Sequence, residues 1–101
     1  SFRELTMTSW TPPVDEYRHY SCLSHGVGQC DEWPDIKFPE AWEAGGYDGV
    51  LEPGMVMTVE SYVGAYAGGE GVKPENQVLI TQDGPENLSP WSLDLDSFHV
   101  L

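Results

Sequence analysis

Apolar residues recur at two different periods along this chain. Phe2, Leu5, Met7 and Trp10 fall at roughly helical spacing, so residues 1–10 read as a helix, which Thr11-Pro12-Pro13 stops. Residues 55–63 follow the turn signal Glu52-Pro53-Gly54 and read as a strand in which Glu60 shares a side with Val56 and Thr58. Residues 72–81 read as a second strand, with Glu75, Gln77 and Leu79 on one side and Val78 and Ile80 on the other. Further upstream, Tyr20 to Gly28 reads as a strand entering a glycine-flanked loop. Residues 15–19 are short and polar, 33–49 are rich in Pro and Gly and predicted irregular, and 64–71 form a small-residue loop. Asp83-Gly84-Pro85 turns the chain, and Leu93, Leu95 and Phe98 mark a packing tail. No internal repeat is present, and the mixture of elements is α+β.

Two carboxylates interrupt the apolar strand patterns. Glu60 and Glu75 lie in runs that predict burial, and a buried charge is costly unless a metal or a partner compensates it. His25, between Ser24 and Gly26 at the mouth of the loop, adds an imidazole. An imidazole and two carboxylates are donors that a divalent metal takes. A lone histidine in a glycine-flanked loop is more often structural than a ligand, and Lys73, Asn76 and Gln77 make the surroundings of Glu75 polar. The coincidence of all three residues makes a metal site at His25, Glu60 and Glu75 the leading expectation.

Size and charge narrow the picture. The 101 residues suffice for one small domain. Seventeen acids against four bases give a net charge of −13, which argues against nucleic-acid or anionic-membrane partners and favours cations. No stretch approaches the length of a membrane span and no signal peptide opens the chain, so a cytoplasmic protein is expected. Cys22 and Cys30 are expected to be reduced, with Cys30 a small buried filler. His19 and His99 read as surface or satisfied histidines. The opening Ser1-Phe2-Arg3-Glu4-Leu5 reads as the middle of a helix, so the chain is expected to be a fragment.

Three segments carry a resemblance. Leu23-Ser24-His25-Gly26-Val27-Gly28, the run from Leu51 to Gly64 and the run from Lys73 to Ser89 resemble the C-terminal half of the catalytic domain of the creatinase, prolidase and aminopeptidase P superfamily. That resemblance implies the C-terminal half of an α+β pita-bread domain, so that residues 1–101 form a partial catalytic domain. It implies a dinuclear metal centre in which His25, Glu60 and Glu75 are ligands, completed by acidic residues outside this chain. Iron is the leading metal, with zinc, manganese and cobalt as alternatives. The chain also departs from the peptidases. They carry a second histidine seven positions after the ligand histidine, where this chain has Glu32. They usually read Glu-Pro-Gly at the first glutamate, against Glu60-Ser61-Tyr62, and Arg two before the second, against Lys73.

The stretch Tyr20 to Pro34 is similar to one branch of that superfamily, the dimethylsulfoniopropionate lyases of the DddP type. The resemblance implies β-elimination of a small zwitterionic sulfonium substrate to dimethyl sulfide and acrylate. It assigns the catalytic base to Asp31 and a substrate contact to Tyr20; Trp33 is the other aromatic nearest the site in sequence. Gly26 and Gly28 would let the loop fold back toward the metal, and aromatic faces attract cations. Trp33 beside Pro34 also reads as a packing residue, and Asp31 beside Glu32 as a solvated acidic pair. Two other functions stay open: an Xaa-Pro metallopeptidase, for which His19 would have to supply the second imidazole, and a non-catalytic relative or truncated piece. The resemblance implies a homodimer. The 101 residues are expected to need the remainder of their own catalytic domain for stable folding, because exposed sheet edges demand partners.

Overall fold

A capping box starts the first helix. The Ser1 hydroxyl accepts from the Glu4 backbone N–H at 3.2 Å, and the Glu4 carboxylate accepts from the Ser1 amino group at 2.7 Å. The computed structural model describes residues 1–9, 15–30 and 32–89 of the chain. Helix α1 spans Phe2–Thr8 and buries Phe2 and Thr6, one turn apart. The Thr6 hydroxyl donates to the Lys37 carbonyl at 2.7 Å, which ties the helix to the sheet beneath it. Leu5 and Met7 stay exposed, because the short helix rests on the narrow face set by Phe2 and Thr6. Trp10, the proline pair and the expected tail beyond Ser89 lie outside the described residues.

Among the described residues eight strands follow in two sheets, and every described pairing is antiparallel. Strands β1 (Tyr17–His19), β2 (Cys22–Gly26) and β3 (Asp35–Lys37) precede a one-turn 3-10 helix, Pro39–Ala41, and the short helix α2, Trp42–Gly45. Strands β4 (Val56–Glu60), β5 (Val63–Ala65), β6 (Gly71–Val72), β7 (Glu75–Thr81) and β8 (Gly84–Asn87) complete the described chain. The larger sheet has the order β3-β2-β4-β7-β8, and the smaller one β1-β5-β6.

The sheets divide both runs that the sequence presents as single strands. After Glu60 the chain leaves β4, and β5 joins the other sheet. Between Val72 and Glu75 sits Pro74, which has no N–H to give to a ladder; its carbonyl instead accepts from Ser61 at 3.1 Å. The polar segment at 15–19 also contains a strand, β1, because β5 offers it a partner. The region from Trp33 to Gly49 is less irregular than its composition suggests. It contributes β3, whose Ile36 is almost fully buried.

The core is narrow: Phe2, Ile36 and Met57, flanked by Leu23, Tyr47, Leu51, Met55, Val78 and Ile80. Phe2 meets the Tyr47 ring edge-on with centroids 6.0 Å apart. On the α1 side of the larger sheet an open apolar groove of about 520 Å³ runs past Leu5, Leu23, Leu51, Val59 and Val78. No described helix is long and apolar enough to cross a membrane.

One glycine fixes how the loop after β2 returns. The Gly26 N–H donates to the Pro34 carbonyl at 2.7 Å. A Cβ at Gly26 would overlap the Trp33 carbonyl, which is backbone and cannot turn aside. Gly26→Ala should therefore cost about 1–3 kcal/mol of stability, read as a lower urea midpoint of the full-length protein. A wild-type midpoint would show that the loop does not need this close approach.

Candidate metal centre

The antiparallel register brings the three predicted ligands onto one face. His25 on β2 pairs with Thr58 on β4, and Glu60 lies two residues beyond Thr58 on the same side. Glu60 in turn pairs directly with Glu75 on β7. A ligand atom from each of His25, Glu60 and Glu75 lies within 4.8 Å of the others. A bulge in β2 between Cys22 and Ser24 shifts the pairing with β3. Cys22 and His25, three residues apart, can then both line one cleft of about 440 Å³.

His25 is held in the orientation a ligand needs. Its Nδ1 lies 2.9 Å from the Gly26 carbonyl. A carbonyl only accepts, so Nδ1 carries the proton there. Nε2 then faces Glu60 Oε2 at 2.9 Å. Burial disfavours the charged ring. The Gly26 carbonyl, the Glu60 hydrogen bond and the charges of Glu32 and Glu60 outweigh burial and raise its pKa above the usual 6.5. In the charged ring Nε2 carries a proton as well, and a metal binding there has to displace it.

Glu60 is 5 % exposed, so its charge needs partners. It has two: His25 on Oε2 and the Lys73 ammonium 3.1 Å from Oε1. Glu75 differs from the expectation of a buried run. It is exposed at the start of β7, where it shares its face with Gln77 while Val78 and Ile80 turn to the other side, and no described element covers it. One imidazole and two carboxylates so close together fit an iron, zinc, manganese or cobalt ion, whose ligand bonds are about 2.0–2.3 Å.

The other predicted residues divide. Tyr20 borders the cleft, with its ring stacked on Tyr62 at 5.0 Å and Lys73 Nζ 5.6 Å from its centroid. Trp33 stacks on Tyr47 at 4.9 Å, is 60 % exposed, and is not among the residues lining the cleft. Asp31 lies outside the described residues; its neighbour Glu32 lines the cleft. The ion pair of Asp35 and Lys37, at 2.6 Å, forms part of the wall and was not singled out by sequence pattern. Lys73 was visible only as a departure at one position. The clue to its importance was its place two residues before Glu75, on the same side of an extended segment.

Comparison with known proteins gives this geometry a family. Residues 4–82 match metallopeptidase family M24. The chain belongs to metallopeptidase family M24. Its α+β content suits that family, whose members depend on metal. The chain is also similar to dimethylsulfoniopropionate lyase DddP of Roseovarius nubinhibens, with 53 % identity over 75 residues, and to that of Roseobacter denitrificans, with 51 % identity over 75 residues. Each alignment covers 74 % of this chain and 17 % of the relative, so the M24 chain matches only a small part of these proteins.

One of the two thiols of the M24 chain sits differently from expectation. Cys30 lies exposed in the turn after β2 and is not a buried filler. Cys22 is partly buried in the cleft wall, and its thiol is pushed up to about 12 by burial first and then by the Asp35 carboxylate. A thiol with so high a pKa is a poor nucleophile near neutrality. Iodoacetamide should therefore alkylate Cys30 well before Cys22 in the native protein, as peptide mass spectrometry would show. Equal rates would mean that the cleft wall does not shield Cys22.

Proposed function

We propose that this chain is the C-terminal half of a pita-bread domain in a metal-dependent lyase that converts dimethylsulfoniopropionate to dimethyl sulfide and acrylate. One observation carries the reading. The sequence is about half identical to two dimethylsulfoniopropionate lyases over 75 residues, and the family match over residues 4–82 contains the His25, Glu60 and Glu75 cluster. Iron is the leading metal, in a dinuclear centre completed by acidic residues beyond this chain. A cytoplasmic homodimer is the assembly we propose.

A bound divalent ion would supply Lewis acidity where charge gathers on the substrate carboxylate. His25, Glu60 and Glu75 would hold the ion there. Asp31 is the base. It takes the proton from the carbon beside the carboxylate, and the C–H electron pair becomes the new double bond. The C–S bond breaks, and its electron pair leaves on neutral dimethyl sulfide. The sulfonium is already a good leaving group, so no general acid is required. Tyr20 offers its ring at the cleft to the sulfonium, with attraction on the order of 0.5–2 kcal/mol. Trp33, stacked on Tyr47, is proposed as the second aromatic substrate contact.

The peptidase alternative needs a second imidazole near the metal. His19 is the candidate in this chain, and it is engaged elsewhere. Its Nε2 lies 3.1 Å from Glu40, its ring meets Phe38 edge-on at 5.5 Å, and it does not line the cleft. Glu32 stands there instead. This favours the lyase.

The test is dimethyl sulfide in the headspace above the full-length protein supplied with dimethylsulfoniopropionate. Asp31→Ala should lower the rate by about 10²-fold or more while metal content and folding persist. Hydrolysis of an Xaa-Pro dipeptide without gas would favour the peptidase, and gas from Asp31→Ala at the wild-type rate would remove Asp31 from the mechanism.

A further inference from the structure

This chain has only four Lys and Arg residues, yet Lys37 and Lys73 both line the cleft beside the candidate ligands. The two are not equivalent. Lys37 is held by Asp35 in the cleft wall. Lys73 reaches the cluster itself, with Nζ 3.1 Å from Glu60 Oε1 and 3.9 Å from Glu75 Oε2. Those are the two carboxylates assigned to the metal. We propose that Lys73 is a displaceable internal counter-ion of the metal centre: its ammonium holds Glu60 and Glu75 when no metal is bound, and an incoming divalent ion must dislodge it.

The inference rests on the metal-centre reading, and three observations support it. Glu60 is buried, so without a metal its carboxylate requires a cation in addition to its contact with His25. Lys73 is 42 % exposed, on a flexible stem at the rim, so it can swing into water with little loss. The Tyr20 ring stands 5.6 Å from Nζ and gives the ammonium a further attractive surface at the cleft mouth. An ammonium and a divalent ion repel each other and seek the same oxygens, so they exclude one another from this site. Lys73 thereby lowers metal affinity and supports the metal-free fold. These two effects have opposite signs, which a purely structural ion pair would not give.

The test uses Mn²⁺ as the probe, with the full-length protein stripped by chelator and free ion counted by electron paramagnetic resonance. Lys73→Gln should bind Mn²⁺ about twofold to fivefold tighter than wild type, the scale expected for losing one partly exposed charge. Lys73→Arg, which keeps the charge, should bind no tighter than wild type. A second measurement needs no variant. Mn²⁺ should increase labelling of Lys73 by an amine-reactive ester and leave Lys37 unchanged, as read by mass spectrometry. Unchanged or weaker binding by Lys73→Gln, or no increase in Lys73 labelling, would overturn the counter-ion while leaving the metal centre intact. A wild-type protein that binds no Mn²⁺ would overturn both.

Discussion

A carboxylate buried in a β-sheet must be neutralised, and Glu60 is the point around which this structure is arranged. Strand β4 sits between β2 and β7, so Glu60 has a neighbour strand on each side. One supplies His25, the other presents Glu75 in direct register, and Lys73 arrives from the segment that Pro74 keeps out of the ladder. Every one of these contacts depends on pairing register. A slip of one residue would turn Glu60 toward the apolar groove and take the imidazole away from it. The fold and the site therefore share the same constraint.

The cleft surrounding that carboxylate is electrically mixed, although the chain as a whole is strongly acidic. Asp35 and Glu32 face Lys37, Lys73 and the raised-pKa imidazole of His25 across a small space. Such a site suits a ligand that carries both signs of charge. The zwitterion proposed as substrate would set its carboxylate toward the bound ion and its sulfonium toward the Tyr20 ring. The opposite side of the sheet, by contrast, offers apolar surface and, among the described residues, no comparable cluster. The residues thus divide into a reactive face and a packing face with little overlap, as alternation along β4 requires.

Much of the site was legible in the sequence because charges within apolar alternation are conspicuous. Glu60 stood out for that reason, and its expected side-sharing with Val56 and Thr58 agrees with its burial. His25 gained meaning from the glycine after it, which the close approach of the Trp33 carbonyl now explains. Other features were hidden because they depend on partners far away in sequence. Strand β1 is polar and short, and only β5 makes it a strand. The bulge in β2 that points Cys22 into the cleft follows from pairing with β3, which composition had marked as irregular. Glu75 looked buried from its alternation with Val78 and Ile80, but alternation cannot tell whether a second layer covers the face. Lys73 was noticed only as a departure from a peptidase pattern, since an ion pair across a proline-broken strand leaves no periodic signal.

The central claim is that His25, Glu60 and Glu75 bind one divalent ion together. Anomalous diffraction from crystals of the metal-loaded full-length protein, recorded at the absorption edge of the metal, tests it most directly. The account predicts an anomalous peak about 2.0–2.3 Å from His25 Nε2 and from a carboxylate oxygen of both Glu60 and Glu75. A peak elsewhere, with His25 still bonded to Glu60, would contradict it.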